Sequence, residues 1–270
     1  MVRITFRSAG GPKRRRSVPS WSSGAPLPKG EALGSSHARR MAEAADLVML
    51  HSPRSESAEV FRRLKNLLVN EYESMRVIVV TSAGPDDGKS VVAANLALAF
   101  ATGDKGETLL IDADLRRPTL GRRLDPPPGC GLSDLVSGRC TLDEAVVVLD
   151  NAPLRVLAAG APVSDPLGML SSQAARDLVS QLRARFQRIV IDTPPILLFT
   201  DADGVGAVGD GFLMVTRARH TLKVEYTQAL SMISSAPLIG TVLNDARPNL
   251  ADRQRFRSRY HEYYDDGDGA

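Results

Sequence analysis

The segment spanning residues 77–90 constrains the fold of this chain more than any other. It reads VIVVTSAGPDDGKS, a short apolar run that breaks into a loop ending in Gly88-Lys89-Ser90, and the apolar stretch VVAANLALAF follows it. The run predicts a buried strand, and the stretch predicts a helix whose positive dipole end points back at the loop. Backbone N–H groups in such a loop can wrap a phosphate. The segment therefore predicts an α/β fold with a phosphate ligand at this loop.

The loop has the spacing Gly/Ala-x4-Gly-Lys-Ser/Thr, with Ala83 in place of the more common first glycine. In this pattern Lys89 reaches the β- and γ-phosphates of a nucleotide, and the Ser90 hydroxyl holds Mg²⁺. The alternative is an ordinary turn between a strand and a helix. The predicted nucleotide-binding residues of the loop are Ala83, Gly84, Pro85, Asp86, Asp87, Gly88, Lys89, Ser90 and Val91.

From residue 76 onward the chain alternates between strand and helix patterns. Short runs rich in β-branched residues, separated by helices, indicate a parallel sheet covered on both faces. The predicted fold class is α/β: a P-loop NTPase with a mostly parallel sheet, helices on both faces and disordered tails. The predicted strands are 77–82, 108–112, 154–158, 188–192, 211–216 and 238–243. The predicted helices are 56–70, 90–102, 131–137, 141–149, 171–185, 201–208 and 222–235, and the first has Val60, Leu64, Leu67 and Leu68 on one apolar stripe.

The two ends of the chain differ in composition from its middle. Residues 1–40 carry nine Lys or Arg against one acid, although the net charge of the whole chain is only +3. This stretch lacks hydrophobic periodicity, so we predict a disordered basic tail over 1–50, a folded domain over 51–245 and a flexible tail over 246–270. The basic cluster at 13–16 serves either solubility or contact with an anionic membrane surface or nucleic acid.

Composition also favours a cytoplasmic protein. Cys130 and Cys140 lie ten positions apart with no flanking partners, so we expect reduced thiols. No stretch approaches about 18 uninterrupted apolar residues, which predicts that nothing here spans a membrane. The basic start is followed by SVPSWSSGAPLPKG rather than by the apolar core of a signal peptide.

Acidic residues follow two of the predicted strands. TLLIDADLRRP contains Asp112, Asp114 and Arg116 at its end, and RIVIDTPPIL contains Asp192. Because the carboxyl ends of parallel strands meet at the crevice where ligands bind, these carboxylates should converge on the loop. An Asp that ends an apolar strand in a nucleotide-binding domain usually binds Mg²⁺ or positions water. The alternative for such an Asp is a helix cap or a turn.

These motifs together resemble those of the bacterial tyrosine kinases, cytoplasmic autokinases that work with polysaccharide chain-length regulators. The resemblance covers roughly residues 50–245 and rests on TSAGPDDGKSVVAANLA, LLIDADLRRPTLGRRL, GLSDLVSG and IVIDTPPILLFTDA. It implies a kinase domain that uses ATP and Mg²⁺. In the family a second nucleotide-binding motif corresponds to residues 111–116 here, which adds Arg116 to the predicted nucleotide-binding residues.

The resemblance also implies roles for the acids. Asp112 and Asp114 would contribute to the metal site and to activation of the attacking hydroxyl. The implied catalytic residues are Lys89, Asp112, Asp114 and Asp192, and the implied metal ligands are Ser90, Asp112 and Asp192.

The chain ends in RSRYHEYYDDGDGA, and three of its five tyrosines fall within this segment. Tyrosines in a polar tail have no core to pack against, so either they arose by chance or they serve a function there. As in the resembling kinases, Tyr260, Tyr263 and Tyr264 would be autophosphorylation sites. The 25 residues of the tail, fully extended, reach about 80 Å, far enough to enter a neighbouring subunit.

The resemblance implies two kinds of partner. A membrane chain-length regulator, a polysaccharide co-polymerase, would anchor the kinase at the inner face of the membrane and activate it. The family also assembles rings through an E-x2-R-x2-R helix, and the matching positions here are Glu59, Arg62 and Lys65. Lys65 lacks the planar fork that binds carboxylates bidentately, which weakens the match to the family's helix. We still predict a homo-oligomer that assembles through the 56–70 helix. A solvated charged helix face is the alternative.

Two other functions stay open. A partition- or positioning-type ATPase switch that binds DNA or membrane shares this fold, but such switches normally carry a second Lys where this chain has Gly84. The absence of that Lys favours the kinase and disfavours a nucleic-acid partner. A nucleotide-bound scaffold without turnover is the third possibility. It is suggested by Asp86 and Asp87, whose charge within the loop should repel phosphates. We therefore expect both side chains to point outward.

Overall fold

The computed structural model describes residues 3–5, 46–104, 106–120, 130–149 and 152–246. Within these ranges one eight-stranded sheet is flanked by helices. The strands are β1 (Arg3–Thr5), β2 (Val77–Ser82), β3 (Thr108–Asp112), β4 (Val146–Val148), β5 (Leu154–Leu157), β6 (Arg188–Asp192), β7 (Gly211–Arg217) and β8 (Leu238–Asn244). The helices are α1 (Val48–His51), α2 (Glu56–Glu71), α3 (Lys89–Gly103), α4 (Leu132–Val136), α5 (Leu142–Ala145), α6 (Pro166–Leu170), α7 (Gln173–Arg185), α8 (Asp201–Gly206) and α9 (Lys223–Met232).

The strand order of the sheet is β1-β8-β7-β2-β6-β3-β5-β4. The six inner strands run parallel, and the outermost strand on each side is antiparallel to its neighbour. β2 lies at the centre between β6 and β7, which come more than a hundred residues later in the chain. The loop after β2 therefore opens where the connections diverge to both sides, which is where parallel sheets of this kind bind ligands.

Both faces of the sheet are covered, which confirms the predicted layering. Along β2, Ile78 and Val80 pack into the cluster under α2 and α3, whereas Val77 and Val79 pack into the cluster on the opposite face with α7. All six residues of β2 are buried, as expected for a central parallel strand. The stripe of α2 is rotated slightly from the prediction. Ala58, Phe61, Leu64 and Leu68 form its buried face, and Leu67 is 40% exposed.

The predicted helix over 141–149 was wrong in its second half. The helix ends at Ala145, and Val146–Val148 forms β4, which pairs antiparallel with β5 in the register Val146↔Leu157. Three consecutive β-branched side chains favour an extended backbone, and the exposed edge of β5 offers them pairing partners. The sheet thus gains an edge strand.

Other helices begin or end a few residues away from the predicted positions, and one short helix was not predicted. The predicted helix over 171–185 begins at Gln173, because the Ser172 hydroxyl accepts the Ala175 N–H as an N-cap, and the short α6 precedes it. α8 and α9 are shorter than the predicted ranges. β1 and all but the last residue of α1 lie within the stretch predicted to be disordered, 1–50. Residues 1–2 and 6–45 of that stretch, and 247–270, lie outside the described residues.

The segment before α2 is tied to the helix that follows the phosphate loop. The buried side chain of Asn95 in α3 accepts the Met49 N–H at 3.0 Å and donates to the Asp46 carbonyl at 2.9 Å. A buried amide that satisfies two backbone groups fixes the position of α1 against α3. No helix within the described ranges combines the length and apolar character needed to cross a lipid bilayer.

Candidate active site

The loop after β2 leads directly into α3 through two residues with left-handed backbone. Asp86 has a φ of 60° and Gly88, the N-cap of α3, a φ of 89°. Glycine adopts such a φ without strain, and a Cβ atom at position 88 would also displace the side-chain amide of Asn244. The turn brings Lys89 and Ser90 into the first turn of α3 at the carboxyl edge of the sheet, as predicted.

Lys89 lies among the predicted carboxylates. Its Nζ donates to Asp114 Oδ2 at 3.0 Å, and only 11% of its side chain is exposed. Burial would lower the pKa of Lys89, but the charges of Asp192, Asp114 and Asp112 outweigh this effect and raise its pKa above the usual value. The structure thus holds a charged ammonium at the mouth of the loop.

Asp112 and Asp192 are adjacent across the sheet, because β3 and β6 pair in the register Asp112↔Asp192, and both are fully buried. The Asp112 carboxylate accepts the Asp114 N–H at 3.2 Å and the Leu120 N–H at 2.9 Å. It therefore shapes the backbone that follows β3. Asp192, by contrast, exerts the strongest of the Coulombic effects that raise the Lys89 pKa.

The hydroxyl of Ser90 has a neighbour that the sequence did not indicate. Thr119 Oγ1 donates to Ser90 Oγ at 2.8 Å, and Ser90 is buried. This contact joins the first turn of α3 to the segment after β3, so the loop and the acidic motif form one unit.

Arg116, predicted to bind nucleotide, is directed elsewhere in this structure. Its guanidinium forms a bidentate pair with Asp201 at 2.6 and 3.2 Å and stacks over the ring of Phe199 at 4.3 Å. Planar pairing and stacking of this kind are specific to arginine. Arg116 thereby links the segment after β3 to the start of α8.

The two acids within the loop behave differently. Asp86 is exposed, as predicted, but the expectation that Asp87 points outward was wrong, because it is 1% exposed. Its carboxylate accepts the Gly84 N–H at 3.1 Å and the Thr221 hydroxyl at 2.5 Å. The turn at Asp86 carries Asp87 inward, where polar partners from the same loop and from the segment after β7 satisfy it.

Five residues that contact the loop or Ser90 were missed by sequence reasoning. His220 is exposed, and its Nε2 lies 3.3 Å from the carbonyl oxygen of Pro85. The signal that could have found them is topological, since β3, β7 and β8 end at the same edge of the sheet as the loop. The missed residues are Thr119, Arg217, His220, Thr221 and Asn244.

The donors at this edge suit Mg²⁺. The predicted ligands Ser90 and Asp192, with Asp114 beside them, offer hydroxyl and carboxylate oxygens, which are the hard ligands that Mg²⁺ prefers. The third predicted ligand, Asp112, accepts two backbone N–H groups with its carboxylate. No cluster of three or more His, Cys, Asp or Glu residues able to hold a metal occurs among the described residues. A nucleotide-bound Mg²⁺ needs only one or two protein ligands, because phosphate oxygens and water complete its shell. The residues present therefore fit this ion.

Comparisons with known proteins give a consistent answer, although no family model matches the chain. The tyrosine-protein kinase YwqD of Bacillus subtilis is 32% identical over 205 residues, which cover 74% of this chain and 85% of YwqD. The succinoglycan biosynthesis transport protein ExoP of Rhizobium meliloti is 31% identical over 233 residues, which cover 80% of this chain and 29% of ExoP.

Solved structures show the same relationship. The chimerical protein CapA2B2 is 30% identical with a TM-score of 0.72, and the match covers 76% of this chain and 91% of that one. The septum site-determining protein MinD of Pyrococcus horikoshii, complexed with Mg-ADP, is 21% identical with a TM-score of 0.52 over 62% of this chain and 68% of MinD. The MinD match shows a shared fold.

The sheet order and the loop between β2 and α3 define the class as a P-loop NTPase fold. The similarity to YwqD then identifies the family within this class. The chain belongs to the bacterial tyrosine kinases of polysaccharide biosynthesis, and it is a protein-tyrosine kinase.

We predict that the contribution of Lys89 to stability depends on pH in the absence of nucleotide. Because folding raises the pKa of Lys89, the stabilisation is fully present below its usual value of 10.5 and is lost as pH rises through the folded-state value. The free energy of unfolding in urea should favour wild type over Lys89→Met at about pH 8, and this advantage should shrink by at most about 1.4 kcal/mol per pH unit above 10.5.

Lys223→Met serves as the matched control, because the Lys223 side chain is exposed on α9. An advantage of wild type over Lys89→Met that is the same at about pH 8 and about pH 11 would contradict the raised pKa of Lys89.

Proposed function

We propose that this kinase transfers the γ-phosphoryl group of Mg-ATP to the tyrosines of its own C-terminal tail, and that the tail of one subunit enters the site of another. The observation that carries the proposal is the position of Lys89. Its ammonium lies at the start of α3, between the phosphate loop and the carboxylates of Asp114 and Asp192. A cation so placed can bind the phosphates while the acids remain close to the transferred group.

The residues divide the work between them. The loop N–H groups and Lys89 bind the phosphates, and Ser90 with Asp192 would hold Mg²⁺, which neutralises charge on the phosphates. When the phosphates draw Lys89 away from Asp114, the Asp114 carboxylate becomes the acceptor for the proton of the tyrosine hydroxyl. The tyrosine oxygen then bonds to the γ-phosphorus, the bond from that phosphorus to the bridging oxygen breaks, and ADP leaves.

The position at which β8 ends supports this proposal. β8 ends at Asn244, whose side-chain amide donates to the Asp87 carbonyl of the loop at 3.0 Å. Tyr260, Tyr263 and Tyr264 follow within 20 residues, outside the described part of the chain. The 14 residues from 247 to Tyr260 span at most about 46 Å when extended, enough to reach an adjacent subunit.

A membrane protein of the chain-length-regulator type is the partner that fits best. ExoP is named as a transport protein, and the chain matches 29% of its length. We propose that such a membrane protein anchors this chain at the inner membrane face and activates it. In this way tail phosphorylation would regulate the polymerisation or export of exopolysaccharide or capsule.

Assembly between copies would use the exposed face of α2. The Glu59 and Arg62 side chains are 45% and 39% exposed and pair with each other at 3.2 Å, an arrangement that costs little to exchange for a contact with another subunit. Lys65 is committed differently. It is 14% exposed and pairs at 3.2 Å with Asp104, just beyond the end of α3. The expected ring contact therefore rests on Glu59 and Arg62, without Lys65.

We predict that the purified full chain, incubated with γ-labelled ATP and Mg²⁺, acquires phosphate on one or more of Tyr260, Tyr263 and Tyr264. Mass spectrometry of the C-terminal peptide measures this. Lys89→Met should lower the labelling at least about 100-fold, because the charge that binds the phosphates is lost. The partner's cytoplasmic segment should be supplied where it is known.

Two results would contradict the autokinase proposal. Phosphate released into solution with an unmodified tail indicates an ATPase switch instead. Nucleotide binding that yields neither product indicates a scaffold.

We predict that the reaction occurs between subunits. Lys89→Met with its tail intact is mixed with an active variant in which all three tail tyrosines are changed to Phe. Phosphate should appear on the Lys89→Met tail, at a rate that rises with the concentration of the active variant. If labelling occurs only within wild-type chains and is independent of dilution, the tail reacts with its own subunit.

We predict that the double variant Glu59→Ala/Arg62→Ala has a lower assembled mass than wild type in sedimentation velocity. Lys65→Ala is the comparison. It should keep the assembled mass and lose about 1 kcal/mol of stability with its partly buried ion pair. An unchanged mass in the double variant, or a dissociated Lys65→Ala, would show that assembly does not use α2 in this way.

A further inference from the structure

Asp87 is a buried carboxylate in a loop that must attract phosphates, and the chemistry of phosphoryl transfer gives it no task. Its negative charge opposes phosphate binding, so its presence needs another reason. Burial raises the pKa of the Asp87 carboxyl, against the lowering effect of its hydrogen bonds to Thr221 and Gly84. The hydrogen bonds of the Asp87 side chain must therefore offset the cost of placing its carboxylate in the loop.

Those contacts join three parts of the molecule. Asp87 Oδ2 accepts the Gly84 N–H at 3.1 Å, which closes the loop upon itself. Asp87 Oδ1 accepts the Thr221 hydroxyl at 2.5 Å, and the same hydroxyl accepts the Arg217 N–H at 2.8 Å. Because Thr221 Oγ1 accepts from the backbone on one side, its proton is directed at Asp87 on the other. The end of β7 is thereby connected to the interior of the phosphate loop.

The carbonyl groups of the loop are held from the same side. Asn244 Nδ2 donates to the Asp87 carbonyl at 3.0 Å, and an Arg217 guanidinium nitrogen donates to the Asp86 carbonyl at 3.3 Å. In a trans peptide unit the N–H points opposite to the C=O. Fixing these two carbonyls toward the segments after β7 and β8 therefore turns the N–H groups of Asp87 and Gly88 to the other side, where they can bind an anion.

We infer that Asp87, Thr221 and Asn244 form a positioning unit that sets the phosphate loop in its binding shape before nucleotide arrives. The inference rests on the proposed function, since it assumes that the loop binds ATP or ADP. These residues act through the backbone of the loop and touch no reacting atom. Without them the loop must be ordered when nucleotide binds, and the cost appears as weaker affinity.

The test is the affinity of the full chain for a fluorescent ADP analogue with Mg²⁺, measured by equilibrium titration. Thr221→Val keeps the size of the side chain but removes the hydroxyl, and should weaken binding about tenfold. Thr221→Ser restores the hydroxyl and should bind within about twofold of wild type. Thr227→Val is the matched control, because Thr227 lies on α9 and bonds only to its own helix at the Lys223 carbonyl among the contacts described.

A second pair of variants separates shape from charge. In Asp87→Asn the amide oxygen can accept the Gly84 N–H while the amide nitrogen donates to Thr221 Oγ1, so binding should stay within about threefold of wild type. Asp87→Ala loses both contacts and should weaken binding about tenfold or more. If Asp87→Asn were as weak as Asp87→Ala, the carboxylate charge would matter and the inference would be wrong.

Kinetics distinguish positioning from general damage. Thr221→Val should raise the KM for ATP and leave kcat for tail phosphorylation within about threefold, with an unfolding midpoint close to that of Thr227→Val. A fall in kcat and in the unfolding midpoint without a change in affinity would overturn the inference. If Thr221→Val binds the analogue as tightly as wild type does, the inference is wrong but the proposed function stands. If wild type itself does not bind the analogue, the proposed function is wrong as well.

Discussion

The site depends on one ammonium group held among buried carboxylates. Asp112 and Asp192 face each other across neighbouring strands, Asp114 follows two residues later, and Lys89 is the cation in their midst. Leaving such acids without a compensating charge typically costs about 3–5 kcal/mol. The ammonium therefore stabilises this cluster of acids, and the same group is available to bind phosphate. Nucleotide binding would replace Asp114 by phosphate as the partner of the ammonium, and the added negative charge would be balanced by Mg²⁺ and the loop N–H groups.

The sheet explains why these groups meet. The centre of the sheet is apolar on both faces, and its polar groups collect at the carboxyl edge, where the segments after β2, β3, β6, β7 and β8 lie side by side. Asp112 binds backbone N–H groups after β3, Thr119 reaches Ser90, and Asn244 reaches the phosphate loop. Each segment is thus fixed by a neighbour from another strand. Preorganisation of this kind lowers the cost of ordering the site when a ligand binds.

Sequence patterns could predict what depends on local periodicity or on a motif of fixed spacing. The central strands, α2, α3 and the convergence of Lys89 with Asp114 and Asp192 belong to this group. The misses have a different physical origin. Val146–Val148 became a strand because the edge of β5 was available to it, and Asp87 turned inward because Thr221, 134 residues away, was there to receive it. Lys65 of α2 likewise pairs with Asp104, which follows the end of α3. Such partners are distant in the chain, and no local pattern encodes them.

α3 is held at both of its ends by ionic contacts. Lys89 at its start lies among the carboxylates of the site, and Asp104, just past its end, pairs with Lys65 of α2. In between, α3 is buried on nearly every side and spans about 22 Å. Because protein interiors are close-packed and have low compressibility, a helix buried in this way transmits strain along its length. The ion pair of Lys65 with Asp104 therefore joins α2 to the same helix that carries Lys89, so α2 holds one end of that helix and the site holds the other.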